Sequence, residues 1–206
     1  MSPETLVAYL LASFLLAIAP GPDNLFVLTQ SALSGGRSGI LVVLGLCTGL
    51  IVHTAAVTFG VAAIFQYSTL AFTLLKLAGA GYLLYLAWGA FRAGAVTVSA
   101  EHAALTSAQL YRRGIVMNVT NPKVSIFFLA FLPQFVDPSR GAVSWQMSCL
   151  GLIFILVSFL VFSAIALMAG QLGGWLSRSE RAQKWMNRIA GIVFAGLAVK
   201  LLLTQR

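Results

Sequence analysis

Two stretches of the chain set an ionisable side chain next to a helix-breaking proline inside an apolar run. They are Ala19-Pro20-Gly21-Pro22-Asp23-Asn24 and, about a hundred residues later, Asn118-Val119-Thr120-Asn121-Pro122-Lys123. Pro20, Pro22 and Pro122 each lack a backbone donor, and Gly21 relaxes the backbone between the first two. A helix cannot pass either place undisturbed. In each, a proline suits the first position of a new helix, with Gly21 capping the one that starts at Pro22 and Asn121 the one that starts at Pro122. Both half-helices then present free N–H groups and a partial positive end, which suit a carboxylate. Asp23 suits an ammonium group or a proton in transit, and Lys123 can neutralise Asp23 when no substrate is there. A small zwitterionic amino acid, with both charges on one carbon, fits this set.

Each residue also has a plainer role. Asp23 can complement its own helix end with Lys123 as a static partner, and Asn24 and Asn121 can cap backbone groups freed by the prolines. His53 has no companion at metal-ligand spacing and reads as a packed or hydrogen-bonded core histidine, while Asn118 and Gln134 are further polar candidates. Phe127, Phe128, Phe131 and Phe135 read as packing, and Lys76 as a side chain that snorkels to the outer interface. The sequence carries no metal-ligand cluster, phosphate-binding glycine loop or nucleophile–base pair. Hence no metal or cofactor is expected, and neither an enzyme nor an ATP-driven pump.

The elements that must position these groups lie in a membrane. Of 206 residues, 59% are hydrophobic and 9% charged, against about 45–50% and 25% in soluble domains. Apolar segments of roughly 20 residues, enough to cross a bilayer, recur throughout, so 1–206 reads as a single transmembrane domain. A net charge of +8 would suggest nucleic acid in a soluble protein, but the basic residues sit mostly at segment ends, where they set orientation. Nucleic-acid binding is rejected. Cys47 and Cys149 fall in apolar segments and read as free thiols. Ala17-Ile18-Ala19 resembles a signal-peptide cleavage site, but Glu4 and the absence of Lys or Arg before it make a poor leader, so the first segment is expected to be retained.

Six spans are expected, over about 5–33, 38–65, 69–92, 113–135, 143–171 and 188–204, with a basic connection between the last two. The first and fourth are broken at their prolines. Repeat one (about 1–92) and repeat two (about 112–206) flank a polar connection, 93–111, that holds Glu101 and His102. Three spans per half force the second repeat to be inverted, and paired interrupted segments point to a binding site at the repeat interface. Arg37, Arg92, Arg112, Arg113, Arg178, Arg181, Lys184 and Arg188 fall on one side, against Arg140, Lys200 and Arg206 on the other. That asymmetry predicts both termini on the periplasmic side. Asp23 lies 12 residues before Gly35 and Lys123 lies 10 after Arg113, depths of roughly 18 and 15 Å at the helical rise. The two charges are expected to be nearly level. The pairs Gly35/Gly39 and Gly45/Gly49 have the small-xxx-small spacing of close helix packing.

At these stretches the chain resembles the lysine exporter family (LysE/RhtB type), which includes homoserine and threonine exporters. The likeness is carried by Ala19-Pro20-Gly21-Pro22, the series Gly35, Gly39, Gly45 and Gly49, Thr120-Asn121-Pro122-Lys123, Phe131-Leu132-Pro133-Gln134-Phe135 and Leu75-Lys76-Leu77-Ala78-Gly79-Ala80, essentially the whole chain. The resemblance implies amino-acid efflux across a bacterial inner membrane, driven by the proton gradient. Gly45-Leu46-Cys47-Thr48-Gly49-Leu50 followed by His53 is similar to the homoserine/homoserine lactone branch. A passive channel or a structural membrane subunit is the alternative, and a homodimer stays open.

Overall fold

The computed structural model describes residues 1–61, 69–93, 105–178 and 180–203, and among them every regular element is helical. In chain order these are α1 (Pro3–Ile18), α2 (Pro22–Ser34), α3 (Gly36–Ala56), α4 (Thr69–Arg92), α5 (Ser107–Val119), α6 (Pro122–Ile126), α7 (Val143–Arg178) and α8 (Glu180–Leu203). A π-helical turn, Val57–Val61, prolongs α3; a second, Phe127–Phe131, prolongs α6 and runs into a 3-10 turn, Leu132–Phe135. Glu101, His102, residues 62–65 of the second expected span, and Arg206 lie outside the described residues.

The prolines break the chain where the sequence predicts. α1 and α2 are bent by 57°, and α5 is bent by 48° against the helical run Pro122–Phe135. Gly21 caps α2 and Asn121 caps α6. By length and composition, two unbroken stretches, Gly36–Gly60 and Val143–Ala169, suffice to cross a bilayer. Each bent pair adds one more if it counts as a single span. One boundary differs from the sequence reading. The expected basic connection between 171 and 188 is largely helix, since α7 continues to Arg178 and α8 begins at Glu180. Arg and Lys are good helix formers, so a cluster of them marks the end of an apolar span without ending the helix.

Packing follows the small residues. α3 packs against α5 and α7, α2 lies against α3 and α7, α1 runs along α7, and α4 pairs with α8. Gly45 and Gly114 meet where α3 crosses α5: a Cβ on Gly114 would stand 2.5 Å from the Val42 carbonyl oxygen and 3.1 Å from Gly45 Cα. Gly35 turns the chain from α2 into α3 at φ 84°, a left-handed conformation that suits glycine. Tyr9 ties α1 to α7 by donating to the Leu150 carbonyl at 3.0 Å, and its ring meets Phe135 edge-on at 5.0 Å.

α7 shows how the bundle divides its surroundings. Phe154, Ser158, Phe162 and Ala166 recur every four residues and are buried, whereas Leu152, Leu156, Leu160 and Leu167 are exposed. An exposed leucine stripe on a helix this apolar suits lipid. Between α6 and α7 the chain is held by polar contacts. The Asp137 carboxylate accepts from the Ser139 hydroxyl and backbone N–H and pairs with Arg140 at 3.1 Å. These bonds, Ser139 first, hold its carboxyl below the usual carboxylate range.

Candidate functional site

A broken helix leaves carbonyls without donors, and their fate shows how the site is built. At the first break Pro20 and Pro22 have no N–H to offer back along α1. The Asn24 amide donates to the Ala17 carbonyl at 2.7 Å. Lys123, from the other break, donates its ammonium to the carbonyls of Leu16 at 3.3 Å and Ala19 at 3.0 Å. The two breaks therefore meet. A cation at the carbonyl end of α1 also faces the negative pole of that helix. Gly21 leaves room for it, because a Cβ there would stand 3.1 Å from Lys123 Nζ.

At the second break the Asn121 side chain accepts from the Lys123 backbone N–H at 3.0 Å, so this cap also fixes the residue that carries the ammonium. Asn118, in the last turn of α5, connects three elements. Its amide donates to Asp23 Oδ2 at 3.2 Å, and its backbone carbonyl accepts from His53 Nε2 at 3.1 Å. The acceptor is a carbonyl, so Nε2 carries the hydrogen. His53 also packs on Phe128, with ring centroids 5.5 Å apart. Gly49 is the floor for Asn118: a Cβ there would lie 2.7 Å from that of Asn118.

The direct Asp23–Lys123 pair anticipated from the sequence is not formed. No carboxylate oxygen of Asp23 lies within salt-bridge distance of Nζ, since the ammonium is turned to the α1 carbonyls. Both residues are nonetheless buried, Asp23 at 1% and Lys123 at 5% exposure, and both line one cavity. The cavity is small, with room at its centre for about one water molecule. Asn118 and Ser158 supply further polar wall, and Leu16, Leu50, Phe154 and Phe162 much of the apolar one. Asp23 Oδ1 and Asn118 Oδ1 have no hydrogen-bond partner in the protein. A buried carboxylate oxygen without a partner is an acceptor that a bound donor can satisfy.

The other sequence candidates divide clearly. Asn24 and Asn121 hold the breaks, and each keeps one buried polar atom unpartnered, Oδ1 and Nδ2 respectively. His53 supports Asn118 from behind rather than lining the cavity. Gln134 is not brought to the site; its amide donates to its own Ala130 carbonyl at 3.2 Å. Phe127, Phe128 and Phe131 are fully buried and pack with Phe135 and Phe154 in the core. Ser158 was missed. It is a lone hydroxyl between Phe154 and Phe162 at helical spacing, and that interruption of an apolar face was the available signal.

A family model described as LysE type translocator matches residues 14–205. The chain is 34% identical over 195 residues to the homoserine/homoserine lactone efflux protein of Salmonella typhimurium, covering 94% of each. It is 34% identical over 197 residues to an uncharacterized membrane protein of Vibrio cholerae, covering 95% of each. A leucine efflux protein of Enterobacter sp. is 29% identical over 195 residues, covering 94% of this chain and 92% of its own. No solved structure matches the chain.

Proposed function

This chain belongs to the LysE type translocator family, which makes it a membrane transporter rather than an enzyme, and on that premise we propose that it exports small amino acids across a bacterial inner membrane. The names of its relatives favour homoserine, its lactone or similar derivatives as cargo. The observation that carries the reading is the buried Asp23 carboxylate, one oxygen held by Asn118 and the other without a partner in a cavity shared with Lys123.

The architecture we propose is six spans in two inverted repeats, forming one domain over 1–206. α4 and α8, 24 residues each, are about 36 Å long at the helical rise and supply the remaining two spans. The two breaks then lie at corresponding positions near the midplane, where transporters of this design bind substrate. In the cycle, the substrate ammonium neutralises Asp23 from the cytoplasmic side, and the substrate leaves outward. A proton then replaces it for the return step. Asp23 is thus charged only when it is compensated, as an intramembrane carboxylate requires. Its occupancy differs between the inward and outward states, which is the condition for coupling. The N–H groups that open α2 suit the substrate carboxylate. The narrow cavity corresponds to a closed stage, and the hinges that open it are the proline breaks.

The test is proton-driven homoserine transport in proteoliposomes. The wild type should move homoserine against its gradient when a pH gradient is imposed. Asp23→Asn should insert normally yet lose uphill transport, retaining at most slow exchange. Full gradient-driven transport by Asp23→Asn would remove Asp23 from the mechanism. Downhill flux alone from the wild type would make the protein a passive channel.

A further inference from the structure

Hydroxyls inside apolar helices ordinarily turn back to a carbonyl one turn earlier. Here Thr48, Thr54, Thr120 and Ser125 do so, donating to the carbonyls of Leu44, Leu50, Val116 and Asn121 at 2.7 to 3.1 Å. Ser158 does not. Its Oγ is buried, the residue being 1% exposed, and has no hydrogen-bond partner. Ser13, Ser31 and Ser163 share that condition among the described residues, but Ser158 is the one of the four that lines the cavity of Asp23 and Lys123. It comes from α7, whereas Asp23, Asn118 and Lys123 come from the two breaks. Its neighbours on the same face, Phe154 and Phe162, are apolar and line the cavity too.

A buried hydroxyl left without a partner costs free energy unless something at times supplies one. We propose that Ser158 is a specificity residue: it binds a polar oxygen on the side chain of the cargo, so that the site favours short amino acids bearing a side-chain hydroxyl over apolar ones of equal size. The assignment rests on the export function proposed for the same site. The division of labour follows from the residue types. The charged and amide groups at the breaks meet the ammonium and carboxylate that every amino acid carries. The lone hydroxyl on the aromatic face of α7 meets what differs between one amino acid and another. A serine hydroxyl both donates and accepts, so it complements a hydroxyl on the substrate. A site built to bond such a group discriminates against the analogue that lacks it, because its own polar group is then left buried and unpaired.

The experiment compares homoserine with norvaline, which carries a methyl group where homoserine has its hydroxyl. Proteoliposomes holding the wild type, Ser158→Ala or Ser163→Ala would be given each amino acid, and the ratio of the two transport rates measured. The wild type should prefer homoserine. Ser158→Ala should lower that ratio by about tenfold, the worth of one buried hydrogen bond, while Ser163→Ala should keep it. Ser158→Cys, nearly the same size but a weak donor, carries the same test should the alanine variant not accumulate. An unchanged ratio in Ser158→Ala overturns the assignment and leaves export standing. So does a wild type that moves both amino acids equally. A wild type that moves neither overturns the export function and the assignment together.

Discussion

The Lys123 ammonium faces the carbonyls of the first break and makes no direct pair with Asp23. The ammonium supplies hydrogen bonds to the Leu16 carbonyl, whose donor one turn on would be Pro20, and to the Ala19 carbonyl at the break. Leaving such a buried acceptor unsatisfied costs about 1–3 kcal/mol. Lys123→Ala should therefore lower the thermal stability of the detergent-extracted protein. The sequence suggested a different cause of damage, an abandoned Asp23 charge that Asp23→Asn would relieve. With no direct pair formed, adding Asp23→Asn should not restore stability. Recovery in the double variant, measured by the same thermal unfolding, would show that charge compensation outweighs carbonyl capping. The types and places of Asp23 and Lys123 were legible because an ionisable group beside a proline is rare in an apolar run. Their partners were not. Which oxygen an ammonium reaches depends on how two distant helices approach, and one-dimensional spacing does not contain that.

At the scale of elements the site depends on how closely α3 and α5 cross. Gly45 and Gly114 bring the backbones together, and Gly49 sits directly beneath Asn118. A side chain at position 49 must push Asn118 away, and with it the amide that holds Asp23. Overpacking of this kind typically costs about 1–3 kcal/mol. Gly49→Ala should thus lower both stability and transport. Gly81→Ala on α4 meets nothing within 4 Å and should leave both near the wild type, or slightly raise stability. Melting temperature and homoserine flux, measured on both variants, check this. Equal behaviour of the two would mean that Asn118 moves aside without consequence. The glycine spacing and both breaks could be read from the sequence, because glycine and proline act on the backbone they belong to. The ends of α7 and α8 could not, since arginine-rich helix and arginine-rich loop have the same composition. Ser158 and Asn118 escaped emphasis for another reason: a polar side chain gains meaning from the cavity it faces, and several helices build that cavity together.

For the whole molecule the open quantity is which way it faces. Eight basic residues fall on the side of the 1–2, 3–4 and 5–6 connections, at Arg37, Arg92, Arg112, Arg113, Arg178, Arg181, Lys184 and Arg188. Arg140, Lys200 and Arg206 fall on the other. Positive charge in short connections is retained in the cytoplasm, so the proposed six-span arrangement puts both termini outside. The helical course of α8 from Glu180 does not weaken this count, because Arg181, Lys184 and Arg188 stay near the same end of the bundle whether they lie on helix or loop. Orientation decides which connections line the cytoplasmic entrance, while the gradients decide the direction of transport. An exporter must offer its inward-facing state to the cytoplasm, and the cationic connections then surround that entrance. A reporter active only in the cytoplasm, inserted near Ser99 in the 93–111 connection, should work, and the same reporter fused after Arg206 should fail. The opposite pattern would turn the molecule over. The proton gradient would still set the direction of exchange, but the cationic connections would then surround the outer entrance instead of the cytoplasmic one. Equal activity at both sites would require an odd number of crossings between Ser99 and the end of the chain to become even, and the inverted repeat would fall with it.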